Sequence, residues 1–246
     1  MSEVVYGLCE LETSFLGRRD RRGAFATTYI QASLTVESWI RAGRFRQPDL
    51  VANYLVVFAN AYRTALVNYE RGDRARVPGA WVQAFDAADS PCSLLKTVLL
   101  SINAHVNRDL PHAVLEAGLD VNSETCHADH FLINEAVRAA TPLVRKRLAS
   151  AYQPRLRLAN WIAGASIDRA VDAAFQQTRG VAWTMAKALQ AAARPADREH
   201  VRQLIEARAV DAGHLILRSG FGPKRGLAAL CDTARYGVTN ASAMTS

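Results

Sequence analysis

Along most of the chain, apolar side chains recur every three to four residues, the spacing that gathers them on one face of a helix. In 49–71 the stripe runs Leu50, Tyr54, Val57, Phe58, Ala61 and Ala65, with Pro48-Asp49 as a start signal and Arg71-Gly72-Asp73 as a stop. Ile133, Val137, Ala140, Val144 and Leu148 repeat it in 128–150, where Pro142 is expected to kink the helix. Val181, Met185, Ala188 and Ala192 repeat it in 167–193. Helices are also predicted over 28–43, 92–109 and 197–217. Val/Ile/Thr alternation at period two, the mark of a half-buried strand, is absent. The expected fold class is therefore all-α.

Segment 92–109 differs from the others. Leu94, Val98 and Ser101 line one stripe while Leu95, Leu99, Ile102 and Val106 line the next, so most of its circumference is apolar. A helix of that kind belongs at the centre of a bundle. Pro111 is expected to end it, with Leu110-Pro111 opening a short helix through Leu115 that Gly118 closes. No Gly/Ser linker, internal repeat or change of composition divides residues 20–218, which read as a single compact multi-helix bundle. Residues 1–19 read as a lead-in, and 219–246, with Gly220-Phe221-Gly222-Pro223 and a small polar end, as a loop or tail.

Composition narrows the class of function more than it names one. The chain has 246 residues, 50% hydrophobic and 22% charged, which is globular and excludes a disordered, collagen-like or coiled-coil chain. No apolar run approaches the roughly 18–20 residues of a membrane span, and no basic, then apolar, leader opens the chain, so a soluble cytoplasmic protein is expected. The excess of 30 basic over 23 acidic residues invites a nucleic-acid reading. It is scattered arginine, with only Lys96, Lys146, Lys187 and Lys224 as lysines and no basic stripe interleaved with aromatics, so no nucleic-acid partner is expected. Cys9, Cys92, Cys126 and Cys231 stand far apart and read as reduced thiols. The oligomeric state is left open.

Candidate chemistry concentrates in three places. In Asn103-Ala104-His105-Val106-Asn107-Arg108-Asp109-Leu110-Pro111, His105 and Asp109 are four apart and extend the buried stripe of 92–109. An imidazole and a carboxylate on such a stripe need partners: each other, another polar group, or a metal. Asp109 alternatively caps the helix that starts at Pro111. In the second place, Asp129 extends the core stripe of the fourth helix or supports its N-terminus, His130 and Asn134 share a neighbouring face, and His127 and His130 are expected to be partly exposed. In the third, Arg179 and Trp183 are four apart with Phe175 one turn earlier, so the guanidinium is placed to stack on the indole and to hold a carboxylate or a substrate anion.

The run from Asn103 to Pro111 resembles the N-A-H-x-N-x-D-L-P hallmark of a bacterial domain-of-unknown-function family of actinobacteria and their relatives. Similar too are Asp20-Arg21-Arg22 followed by an aromatic and Tyr29, Gly43 to Leu50 with Phe58-Ala59 and Tyr62, Asp129 with Asn134, and Arg179 with Ala182-Trp183. Arg108 stands where that pattern has an aromatic, and His130 where it has Phe or Tyr. The resemblance implies an all-α fold over about residues 18–217 and singles out Asn103, His105, Asn107, Asp109, Asp129, Asn134, Arg179 and Trp183; it implies no reaction.

Three functional expectations follow. The first is an enzyme of specialised metabolism with no cofactor, converting an apolar polyketide- or terpenoid-like small molecule by cyclisation, isomerisation, elimination or hydrolysis. In it His105, Asp109, Asp129 and Arg179 are catalytic. Asn103, Asn107, Asn134, Trp183, Tyr54, Phe58 and Tyr62 bind substrate. The second is a hydrolase in which His105, Asp109, Asp129 and His130 hold a divalent metal. The third is a protein that binds a small molecule without converting it. All three need His105, Asp109, Asp129 and Arg179 to converge between helices about 8–10 Å apart.

Overall fold

The helix Pro48–Glu70 encloses Tyr54, Phe58 and Ala65 of the stripe read from its sequence, leaves Leu50, Val57 and Ala61 half-buried, and adds Val51, Leu55, Tyr62 and Leu66 to the core. Gly72, at φ +76°, turns the chain just after it, a left-handed conformation that glycine adopts without steric cost. The structure is a computed structural model that describes residues 2–90, 92, 94–156 and 165–218. Among these residues all regular structure is helical. The order is α1 (Ser2–Arg18), α2 (Gly23–Arg41), α3 (Pro48–Glu70), a 3₁₀ turn at Arg74–Arg76, α4 (Gly79–Asp89) and α5 (Leu94–Asn103). A π-helical turn (Ala104–Asp109), α6 (Leu110–Glu116), α7 (Glu124–Leu156), α8 (Ala165–Ala191) and α9 (Pro195–Arg218) follow.

The segment expected at the centre is there. Leu94, Thr97, Val98, Leu99, Leu100, Ser101 and Asn103 of α5 are buried, as are Ala104, His105, Val106, Asn107 and Asp109 of the π turn. Around it α2 lies along α7, α4 along α5, and α6 along α8, while α9 closes on α4, α5 and the π turn. By length and composition α3 passes as a membrane-crossing helix, contrary to the sequence expectation. Its enclosed aromatic stripe makes it a core helix of the bundle.

Four local expectations are revised. Residues 1–19 are not a lead-in: α1 packs on α2 and buries Leu8 and Phe15 completely. α4 was not foreseen, although Trp81, Ala84, Phe85 and Ala88 carry a helical period after Pro78. α7 runs unbroken past Pro142, which sits on its exposed side. Finally, the chain does not stop being helical before Pro111. In an α-helix the proline ring clashes with the carbonyl of residue 107. Here the Leu110 N–H reaches back five residues to the His105 carbonyl, which widens the turn and leaves Pro111 in the first turn of α6, where its missing N–H is no loss. The tail at 219–246 lies outside the described residues.

Candidate functional site

The π turn fixes the site by fixing His105. Its imidazole lies flat on the Phe58 ring of α3, with centroids 3.5 Å apart and planes 10° from parallel. The edges of Tyr29 and Phe25 of α2 close in at 4.7 and 5.5 Å. Nδ1 is 3.3 Å from Asp109 Oδ2, and because a carboxylate only accepts, Nδ1 carries the proton and donates it. Nε2 is then the bare lone pair. It is buried, it has no partner among the described residues, and the ring lines a cavity of about 180 Å³. Burial lowers the imidazole pKa, with Asp109 opposing, so the ring is a neutral base at pH 7.

Asp109 is held as firmly as it holds His105. Trp81 Nε1–H of α4 donates to Oδ2 at 2.8 Å and Arg108 Nη1 donates to Oδ1 at 3.0 Å. Arg108 also reaches Glu206 of α9 at 3.3 Å, and Glu206 accepts from the Gly79 N–H at the start of α4 at 2.6 Å. Asp109 makes no side-chain cap on α6, so the capping alternative is set aside. The chain of contacts locks the imidazole's tautomer and orientation from behind.

On the cavity's other side, Arg179 of α8 is 2% exposed and bears a guanidinium that stays charged in proteins. Nη2 donates to the His130 carbonyl at 2.8 Å and sits 3.3 Å from His130 Nδ1; Nε has no partner among the described residues. Neither does any described carboxylate pair with it. The Tyr54 hydroxyl, beside Arg179, lies 3.1 Å from His130 Nδ1, and burial pushes its pKa up to about 12. Burial also pushes the Tyr29 phenol well above its ordinary value, so Tyr29 is a neutral donor, and its hydroxyl has no partner among the described residues. Most of the remaining lining is hydrocarbon, Phe25, Val36, Leu55, Val98, Leu99, Ile133, Val137, Leu148 and Phe175 among it, with Thr28, Ser33, Thr141 and the half-buried Arg145 as the polar exceptions.

Of the residues expected to converge, His105, Arg179, Tyr54 and Phe58 line this cavity, with Asp109 directly behind His105. Asp129 does not join them. Its two oxygens accept the backbone N–H groups of Arg46 and Gln47 at 3.0 and 2.8 Å, so it pins the α2–α3 loop to α7. Asn107 donates to Asn103, and Asn103 donates to the Ala209 carbonyl of α9, both at 2.8 Å, which turns the pair away from the cavity. Tyr62 packs behind it on Phe25 and Trp81. Asn134 and Trp183 are buried but do not line it.

Two further expectations are corrected. His130 is 1% exposed, not partly exposed, and its ring meets Trp183 at 4.7 Å, while His127 is exposed as expected. The Arg179 guanidinium lies over Phe175 at 5.8 Å, not over Trp183, because helical side chains lean toward the N-terminus of their helix. The alternative metal set is dispersed: His105 pairs with Asp109, Asp129 with the loop, His130 with Tyr54 and Arg179. Among the described residues no three His, Cys, Asp or Glu side chains come together to hold a metal. Tyr29 and the aromatic before it, Phe25, entered the sequence reading only through the family resemblance and not as site residues, and Trp81 was passed over. The four-residue spacing of Phe25 and Tyr29, and of Trp81 and Phe85, is the signal that marks them.

The model of a family of unknown function (DUF5995) matches residues 1–219. No curated protein and no solved structure matches the chain.

Proposed function

This chain belongs to the DUF5995 family of unknown function, and we propose that it is a cofactor-independent acid–base enzyme of bacterial specialised metabolism. The Asn103–Pro111 run, read as the hallmark of a bacterial family, supplies its base. The observation that carries this reading is the buried, unpartnered Nε2 of His105, whose ring lines an apolar cavity while Asp109 holds Nδ1. A buried acceptor left bare costs about 1–3 kcal/mol, and a protein that only needed packing there would place a phenylalanine. Tyr29 and Arg179 bring a neutral donor and a cation to the same space.

The chemistry these groups support is proton transfer beside a carbonyl. Nε2 takes a proton from carbon, the C–H electron pair moves into a C=C bond, and the carbonyl π pair moves onto oxygen. Arg179 stabilises that oxyanion and Tyr29 donates a hydrogen bond to the substrate. Return of the proton to another carbon gives isomerisation, loss of a β-substituent gives elimination, and attack by the new carbon nucleophile gives cyclisation. Hydrolysis uses the same base on a water. Asp109 does not touch substrate; it is a positioning residue for the base. The substrate expected is a polyketide- or terpenoid-like molecule that puts about one ring into the cavity, since a cavity of about 150 Å³ already accommodates benzene.

The test is solvent deuterium uptake, followed by NMR, at the carbon beside the carbonyl in a panel of one-ring ketones and enones. The parent is expected to exchange at least one of them, and His105→Ala to lose at least about 100-fold of the rate, the usual share of a general base. Equal exchange by parent and His105→Ala removes His105 from the chemistry. Ligand binding without exchange leaves a small-molecule binding protein.

A further inference from the structure

The base and the cation of the cavity are not equivalent clues. A neutral imidazole with one bare nitrogen carries the cost of a lost hydrogen bond, whereas a guanidinium taken out of water needs a counter-charge nearby or leaves a larger uncompensated cost. Arg179 is enclosed, no described carboxylate pairs with it, and its Nε–H has no partner. Its polar neighbours, the Tyr54 hydroxyl and the His130 carbonyl and Nδ1, are all uncharged. The buried acids nearest in the fold are committed elsewhere: Asp109 to Trp81, His105 and Arg108, Asp129 to the loop amides.

We propose that the cavity's ligand supplies the missing charge: a one-ring apolar molecule bearing a single oxyanion, carboxylate or enolate, seated on Arg179 with its ring against Phe58 and Tyr29. This rests on the proposed function for where the ligand lies, and adds what it is. Size and wall chemistry set the body, because the cavity of about 180 Å³ is lined almost wholly by hydrocarbon and aromatic side chains. The charge is set at one, since among the described lining residues Arg179 is buried and the other cation, Arg145, is only half-buried, and a doubly charged ligand would bring one anion into hydrocarbon unpaired. The planar fork of the guanidinium suits two oxygens, or one oxygen and a neighbour, side by side.

The experiment uses the full chain and four probes by calorimetry and thermal shift. Benzoate is compared with its neutral isostere benzamide, and the enolate of 1,3-cyclohexanedione with cyclohexanone. Each anion is expected to bind at least about tenfold tighter than its neutral partner, a modest share of a charge-assisted hydrogen-bond pair. A preference confined to the first pair identifies a carboxylate ligand, and one confined to the second identifies an enolate. Arg179→Met is expected to fold, to melt no lower than the parent, and to lose the anion preference. Neutral probes binding as tightly as the anions in the parent overturn the proposal without any variant. So does an anion preference that survives in Arg179→Met. Anion preference with no deuterium exchange in any ketone sinks the acid–base reading alone; exchange of neutral ketones with no anion preference sinks this inference alone.

Discussion

The Asn103–Pro111 run has two faces, and they are built on opposite rules. Toward α4 and α9 the run's own polar groups are partnered: Asn107 with Asn103, Asn103 with the Ala209 carbonyl, Arg108 with Asp109 and Glu206, Asp109 with Trp81. Outside the run, Gln83 Oε1 of α4, beside α9, has no partner among the described residues. Toward α2, α3 and α8, polar atoms are bare: His105 Nε2, the Tyr29 hydroxyl and Arg179 Nε have no partner among the described residues. A fold selected for stability alone removes such atoms, because each costs about 1–3 kcal/mol. Saturation on one face and its lack on the other separate what holds the π turn in place from what the π turn is held in place to present.

The comparison breaks most visibly at Asp109, which serves both faces. Asp109→Ala strips acceptors from Trp81, His105 and Arg108 at once and is expected to lose about 3–5 kcal/mol in denaturant unfolding, as buried charged pairs do when one partner is removed. A loss under 1 kcal/mol would show that the partnered face is not what secures the turn.

Acid is the next lever. Burial lowers the pKa of His105 and, well below its ordinary value, that of His130, and lowers His112 to about 4. The unfolded chain, titrating near 6.5, therefore binds more protons than the folded one below that pH. Stability is fully present above about pH 6.5 and is lost as pH falls toward the folded values. The melting temperature is expected to drop steadily from pH 6.5 to 4, and less steeply in His130→Phe; identical slopes in the two proteins would count against His130 as a contributor.

Asn103→Ala, confined to the partnered face, is expected to cost about 1–3 kcal/mol while leaving benzoate affinity within twofold of the parent. Tyr29→Phe, confined to the bare face, is the smallest change and goes the other way, a gain of about 1 kcal/mol, because it removes a buried hydroxyl that bonds to nothing described. It should nonetheless slow deuterium exchange. If Asn103→Ala impairs the ligand and Tyr29→Phe destabilises the fold, the two faces have been assigned the wrong way round.

The fold itself was largely legible. Helical period alone placed α2, α3, α5, α7, α8 and α9 to within a few residues, and the unbroken apolar girth of 92–109 placed its helix at the centre. The misses have local causes. α1 encloses Val4, Val5, Leu8, Glu12 and Phe15 at helical spacing, a stripe too sparse in large apolar residues to stand out until α2 is laid beside it. α4 is a short helix after Pro78, overshadowed by the turn residues around it. The π turn was unreadable as such, although Pro111 is its cause.

The site divided along a different line. That His105 and Asp109 meet follows from four residues of spacing on one chain segment, and spacing within a turn is set by backbone geometry that the sequence carries locally. Whether a polar side chain finds a partner across a helix interface is set by how two helices are rotated and crossed, which no local pattern encodes. Asp129 has the same stripe position as a catalytic carboxylate, yet its partners are the amides of residues 46 and 47. Asn103 and Asn107 share the hallmark with His105, yet they face residue 209. Arg179 leans toward Phe175 and into a cavity whose other walls come from α2, α3, α5 and α7. The sequence determined which groups are present and which helical face each occupies; the packing of distant helices decided which of them are satisfied and which have no described partner.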